Sequence, residues 1–146
     1  MNTILLCLTL QGIIPNSSCD GMEAVIPAAR IHRLDPHLIL AVAIHESRWT
    51  PTARNGSHCG LMQTGTKFVP ETCQELMKPE TAIWAGARAL RYWTDRKGKD
   101  RAIECYRKGN KCSAPEYERA VLTTVKVLQE RSEYLIRMKL WLPKQS

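Results

Sequence analysis

The sequence predicts a single, mainly α-helical domain with at most a small β-hairpin. Three observations carry that prediction. Apolar residues recur at helical spacing in successive segments, and no segment shows the alternation of a strand of real length. A chain of 146 residues without linker, repeat or low-complexity tract holds one core.

The elements follow in order. Residues 1–21 form an N-terminal apolar segment, and residues 22–142 form the domain. Met22 to His32 places Val25, Ile26, Ala29 and Ile31 as the apolar residues of a first short helix. Asp35-Pro36 is a helix start, with Asp35 as cap and Pro36 in the first turn. That second helix runs to about Ser47 and is apolar almost all round, so it is expected at the centre of the domain. Trp49 to Val69 is rich in Gly, Thr, Asn and Pro and reads as loop, with a small hairpin near Cys59. Thr81 to Thr94 returns to helical spacing through Ile83, Ala87 and Leu90, and Asp100 to Tyr106 is a short helix. Ser113-Ala114-Pro115-Glu116 fits a capping box. It opens a long amphipathic helix with Val121, Val125, Leu128, Leu135 and Ile136 facing inward.

Composition narrows the partners. The net charge of +7 favours a polyanion such as nucleic acid, anionic lipid or an acidic wall polymer, or is simply a solvated basic surface. Nucleic acid is set aside, because no recognition motif accompanies the charge. Six cysteines suit an oxidising compartment: periplasm, cell exterior or virion. Consecutive pairing, Cys7 with Cys19, Cys59 with Cys73 and Cys105 with Cys112, is the simplest connectivity. A zinc site from His58, Cys59 and Cys73 lacks C-x-x-C spacing. Ile4 to Ile14 is too short for a transmembrane span. Two readings stand for it: the apolar region of a secretory signal, or an anchoring or packing arm. The n-region, Met1-Asn2-Thr3, lacks Lys and Arg, and removal before Cys19 would strand an odd cysteine.

The chemistry points to Glu46. It closes the apolar run Leu38-Ile39-Leu40-Ala41-Val42-Ala43-Ile44-His45-Glu46-Ser47, ahead of the turn Gly60-Leu61-Met62-Gln63. A carboxyl group emerging from a buried helix into a groove sheds water from its charged form and holds a proton more readily. Such a group suits general acid work on a glycosidic bond.

Four elements in order give the chain its resemblance. They are Leu34-Asp35-Pro36-His37-Leu38-Ile39-Leu40-Ala41 leading into Glu46-Ser47, and Pro51-Thr52-Ala53-Arg54-Asn55 followed by Gly60-Leu61-Met62-Gln63. Ile83-Trp84-Ala85-Gly86-Ala87-Arg88-Ala89-Leu90 and then Tyr106 complete the set. Together, over about Met22 to Tyr134, they resemble the catalytic domain of the soluble lytic transglycosylases, a branch of the lysozyme-like superfamily.

The resemblance implies a lysozyme-like fold and a glycan strand of peptidoglycan as substrate. It implies that Glu46 protonates the glycosidic oxygen between N-acetylmuramic acid and N-acetylglucosamine. Glu46 would then take the proton of the muramic C6 hydroxyl as a 1,6-anhydro ring closes. Ser47, Gly60, Met62, Gln63 and Tyr106 are the implied substrate-binding set. Gly60 permits the turn, Met62 forms groove wall, and Gln63 offers a donor and an acceptor. Ser47 steadies the helix end, and the Tyr106 hydroxyl reaches toward Glu46 or the sugar. No metal or organic cofactor is implied. A two-acid hydrolase would need a second carboxylate, for which Asp35, Glu71 and Glu75 are the nearest candidates.

Departures from the family pattern are equally specific. Arg107 stands where the usual Tyr-Asn-Ala-Gly motif has Asn, Ala82 stands where Asn commonly precedes Ile83, and Thr64-Gly65-Thr66 replaces an apolar-Pro-Thr sequence. Bland readings also stand. Gln63 and Ser47 can be loop and helix-end hydrogen-bonders, Tyr106 can be core, and His45 and His58 are structural or solvent-facing. Among Trp49, Trp84, Trp93 and Trp141, Trp49 is the best candidate for stacking on a sugar. The expected setting is a phage tail in a virion or a secretion machine in the periplasm, with the virion slightly favoured. A hydrolytic lysozyme and a non-catalytic structural component of such an assembly are the alternatives.

Overall fold

The computed structural model describes residues 1–139. Trp141 and the expected end of the domain at residue 142 lie outside the described residues. Seven α-helices and one small sheet appear among those described. The helices are α1 (Thr3–Gln11), α2 (Val25–His32), α3 (Pro36–Ser47), α4 (Cys73–Leu76), α5 (Pro79–Lys97), α6 (Lys99–Lys108) and α7 (Pro115–Met138). A 3-10 turn, Met22–Ala24, leads into α2.

Helix α3 is the centre. The Asp35 carboxylate accepts the His37 backbone N–H at 2.8 Å, Pro36 occupies the first turn, and Arg48 ends the helix in the left-handed region. Ile39, Leu40, Ala41, Val42, Ala43 and Ile44 are all buried. Residues facing every direction are buried because α2, α5 and α7 surround the helix. Each large apolar side chain enclosed this way is worth about 1.5–3 kcal/mol.

Helix α7 lays Val121, Val125, Leu128 and Leu135 along α3 and α1, but Ile136 turns to solvent. Leu135 takes the inward position there, and adjacent helical residues diverge by about 100°. The capping box expected at Ser113 does not form. Ala114 is the cap residue and offers no side-chain acceptor, so the helix starts on Pro115. A capping box does form at Thr72, whose side chain and that of Glu75 receive each other's backbone N–H groups. Ile31, expected among the apolar face of α2, is exposed, and Val25, Ala28 and Ala29 make that face. Helix α5 is longer than its apolar spacing suggested, and α6 packs back on it across Gly98.

Three two-residue strands follow α3: β1 (Arg54–Asn55), β2 (His58–Cys59) and β3 (Thr64–Gly65), antiparallel in the order β1-β2-β3. Arg54 pairs with Cys59, and Cys59 with Thr64. The six cysteines bond consecutively, as Cys7–Cys19, Cys59–Cys73 and Cys105–Cys112.

Helix α1 puts Leu6 and Leu10 into the main core and packs along α7. A buried polar chain joins it to α3. The His37 ring faces Asp35 through Nδ1 at 3.1 Å and Ser132 Oγ through Nε2 at 2.8 Å. Ser132 Oγ lies 2.8 Å from Thr9 Oγ1, which donates to the Leu5 carbonyl. Among the described residues no helix is long and apolar enough to cross a membrane.

Burial tends to raise the pKa of Asp35, but hydrogen bonds from the His37 ring and backbone and from Gln129 outweigh it, so the carboxyl sits below its ordinary range. A depressed acid contributes stability above its unfolded pKa, near about pH 4, and loses it as pH falls through the folded value. Asp35→Asn keeps a capping oxygen and loses the charge. Its thermal midpoint should lie below that of the native chain at pH 7, and the gap should close as pH falls below the ordinary carboxylate range, as followed by circular dichroism across pH.

Candidate active site

Glu46 lies in the last turn of α3, with its side chain only 7% exposed. Beyond it the backbone turns sharply: Arg48 and Trp49 both have positive φ, at 50° and 56°, and Gln63 has φ 48°. Each such non-glycine residue costs roughly 1–3 kcal/mol, so surrounding bonds must hold it. Arg48 N–H closes on the Ile44 carbonyl at 2.9 Å. The Trp49 indole is buried and donates to the Asp20 carbonyl at 3.1 Å. That placement corrects the expectation for Trp49: it anchors the turn and has no face free for a sugar.

The Ser47 hydroxyl donates to the Leu61 carbonyl at 2.6 Å and accepts the Thr50 N–H at 3.1 Å. It therefore clips the end of α3 to the Gly60 turn. Gly60 has φ +82°, and a Cβ there would overlap the Leu76 carbonyl oxygen. Met62 is fully buried against Gly86, where a Cβ would collide with its sulfur, so Met62 supports the groove from beneath. The Gln63 amide donates to the Ala53 and Gly60 carbonyls, each at 2.9 Å. The Tyr106 hydroxyl donates to the Met62 carbonyl at 2.6 Å and not to Glu46. Its burial, with the nearby Glu46 charge, pushes the phenol well above its ordinary range. Ser47, Gln63 and Tyr106 thus fix the three consecutive carbonyls of Gly60, Leu61 and Met62, and Gln63 ties that of Ala53 to the same turn.

Two residues meet the Glu46 carboxylate directly. Tyr117, in the first turn of α7, donates its hydroxyl to Oε2. Arg107, near the end of α6, donates to Oε1 and Oε2, each at 3.2 Å. Burial first, and then the Glu46 charge, push the Tyr117 phenol above its ordinary range. That hydroxyl keeps its proton and stays a donor at every working pH.

An open groove of about 500 Å³ lies over Glu46, lined by Arg54, His58, Gln63, Tyr106 and Arg107 among others. Beyond Arg107 it adjoins a hollow of about 260 Å³ that includes Thr64, Phe68 and Trp93. Phe68 is exposed and stacks on Trp93 at 5.7 Å. Among the described residues Glu46 is the one carboxylate lining the groove or the hollow. Asp35 caps the far end of α3, roughly 16 Å away at 1.5 Å per residue. Glu71 pairs with Arg88, and Glu75 belongs to the capping box. His45 meets Thr124 at 2.7 Å. Asp35, His37 and Ser132 are aligned in the manner of a nucleophile relay, but Ser132 is 2% exposed and bonded to Thr9. No group of His, Cys, Asp and Glu among the described residues could hold a metal ion.

Reading the sequence missed Tyr117. The available signal was position: Tyr117 heads the inward stripe continued by Val121 and Val125 at four-residue steps. Nothing in spacing alone says that this stripe ends over Glu46. The Arg107 contact was foreshadowed only as a departure from the expected Asn.

A helical domain whose central helix delivers a single carboxylate to an open groove is of the lysozyme-like class. The chain belongs to the transglycosylase SLT domain family, whose family model matches residues 23–120. No curated protein matches it. Family membership supports a peptidoglycan-cleaving function of the lytic transglycosylase type.

The turn sets a stability test. Gly60→Ala should cost at least about 2 kcal/mol in urea unfolding, because it combines left-handed backbone with the overlap on Leu76. Tyr117→Phe should cost about 1–3 kcal/mol in the same unfolding and leave the chain folded. It should lower the rate of peptidoglycan solubilisation about tenfold to a hundredfold, the worth of one hydrogen bond to a charged group.

Proposed function

We propose that this chain is a peptidoglycan lytic transglycosylase that cleaves the β-1,4 bond from N-acetylmuramic acid to N-acetylglucosamine and leaves a 1,6-anhydro end. The observation that carries the proposal is Glu46, the lone carboxylate of the groove among the described residues. A hydrolase of the two-carboxylate kind has no second acid there. A reaction whose nucleophile is the substrate's own C6 hydroxyl needs only one.

In this reading Glu46 carries its proton on Oε1, while Tyr117 holds Oε2 in place. The proton passes to the glycosidic oxygen as the bond to C1 breaks. The C6 hydroxyl oxygen then bonds to C1, and its proton returns to Glu46, which restores the acid without consuming water. The buried backbone carbonyls tied by Ser47, Gln63 and Tyr106 keep the groove floor in one conformation. Gly60 lets the turn approach the strand. Phe68 offers a stacking face. Ser47, Met62, Gln63 and Tyr106 therefore act mainly by shaping the turn on which the strand rests.

The protein works in an oxidising compartment, which three disulfides favour, and opens the wall for a phage tail or secretion machine. Its net charge of +7 suits an anionic wall.

Mass spectrometry of products from purified peptidoglycan tests the chemistry. The native chain should release anhydro ends, and Glu46→Gln should lower their formation by at least about a thousandfold. Reducing ends would replace the proposal with hydrolysis, and wall binding without any product would make the chain a structural component.

A further inference from the structure

Arg107 occupies the crossing point of the site. It borders the groove over Glu46, the adjoining hollow, and a third depression formed with Ser113 to Tyr117. Its side chain is 47% exposed, and among the described residues its guanidinium is held by the Glu46 carboxylate and, at 5.0 Å, by the Tyr117 ring. Along the groove and the hollow the remaining charge is also positive, from Arg54 and Lys108. Among the described residues Glu46 is the only anion lining those two, and Glu116 lines the third depression.

This arrangement conflicts with proton donation by Glu46. Tyr117 and Arg107 fill both acceptor sites of Oε2, and Arg107 takes one of the two on Oε1. The guanidinium bridges both oxygens, so a glycosidic oxygen reaches Glu46 unhindered only when Arg107 swings aside. An ion pair with one member half in water is weak and readily exchanged for another carboxylate. A guanidinium fork matches a carboxylate in two parallel hydrogen bonds.

Resting on the transglycosylase reading, we propose that Arg107 is a specificity-determining latch: a carboxylate on the muramic side of the strand takes its guanidinium and thereby frees Glu46. The strand offers two sources, a peptide-stem carboxylate and the lactyl carboxylate exposed when the stem is removed. Arg54 and Lys108 flank the latch and draw the same anion toward it. A strand without such a carboxylate leaves the latch closed.

The test uses glycan oligomers of equal length in three forms: stem-bearing, stripped of stems by an amidase, and stripped with the lactyl carboxylates converted to neutral methylamides. The native chain should cleave a carboxylate-bearing form with a kcat/KM about tenfold above the neutral form, the scale of a charge-assisted bidentate contact. Arg107→Asn should bring that ratio to near one, partly by faster cleavage of the neutral strand, and Arg107→Lys should retain part of it. A preference for the stem-bearing form alone identifies the stem carboxylate, one for the stripped form alone identifies the lactyl group, and one shared by both shows that either carboxylate opens the latch. An unchanged ratio in Arg107→Asn overturns the latch.

Calorimetry in the Glu46→Gln background separates this proposal from the reaction itself. There the carboxylate-bearing strands should bind about tenfold tighter than the neutral one, and adding Arg107→Asn should abolish the difference. If the native chain cleaves no strand while this binding difference holds, the transglycosylase reading fails and carboxylate recognition by Arg107 stands. Equal binding of all three strands in the Glu46→Gln background removes the recognition by Arg107, whatever the chain cleaves.

Discussion

The enclosure of α3 on all sides is the constraint on which the rest depends. Six consecutive apolar residues, Ile39 to Ile44, can be buried together only if other helices surround them. Helices α2, α5 and α7 do so, and the chain can become polar again only where that casing ends. Glu46 is among the first polar residues past the end. Its position at the groove is therefore set by packing far more than by any bond of its own. The capping bond at Asp35 fixes where the helix begins, so the distance from cap to carboxylate is fixed as well.

The turn beyond α3 shows how a short polar motif can act through the backbone. Ser47, Gln63 and Tyr106 each direct a polar group to a carbonyl, of Leu61, Ala53 and Gly60, and Met62 respectively. These bonds hold residues such as Gln63 in a left-handed conformation that a free loop would leave. Gly86 opens the space into which Met62 sinks. The groove floor is in this sense made of main chain, and side chains that look like ligands in the sequence are its fastenings.

What the sequence made legible follows from the range of the forces involved. The limits of α3, its Asp35 cap and its burial were readable because caps and all-round apolarity are local signals. The small sheet around Cys59 and the mainly helical class were equally local. Failures came where a neighbouring element decided the outcome. Ser113 looked like a cap, yet the chain enters α7 on Ala114. Trp49 looked like a stacking residue, yet the carbonyl of Asp20, far away in sequence, claims its indole. Tyr117 gave no sign of chemistry, because only the packing of α7 across α3 brings it to Glu46.

The Cys105–Cys112 bond has a consequence for when the site exists. The two residues that hold Glu46 lie in and just beyond this ring: Arg107 within it, and Tyr117 in the first turn of the helix that follows. Closing so small a ring removes about 2.5 kcal/mol of disorder from the unfixed loop on a chain-entropy account. Before oxidation, that entropy opposes the alignment of both partners with the carboxylate. A chain with free thiols thus carries Glu46 in a more loosely bounded cleft, and oxidation of Cys105 and Cys112 is what tightens it. The definition of the candidate site is in this way coupled to the redox state of its surroundings.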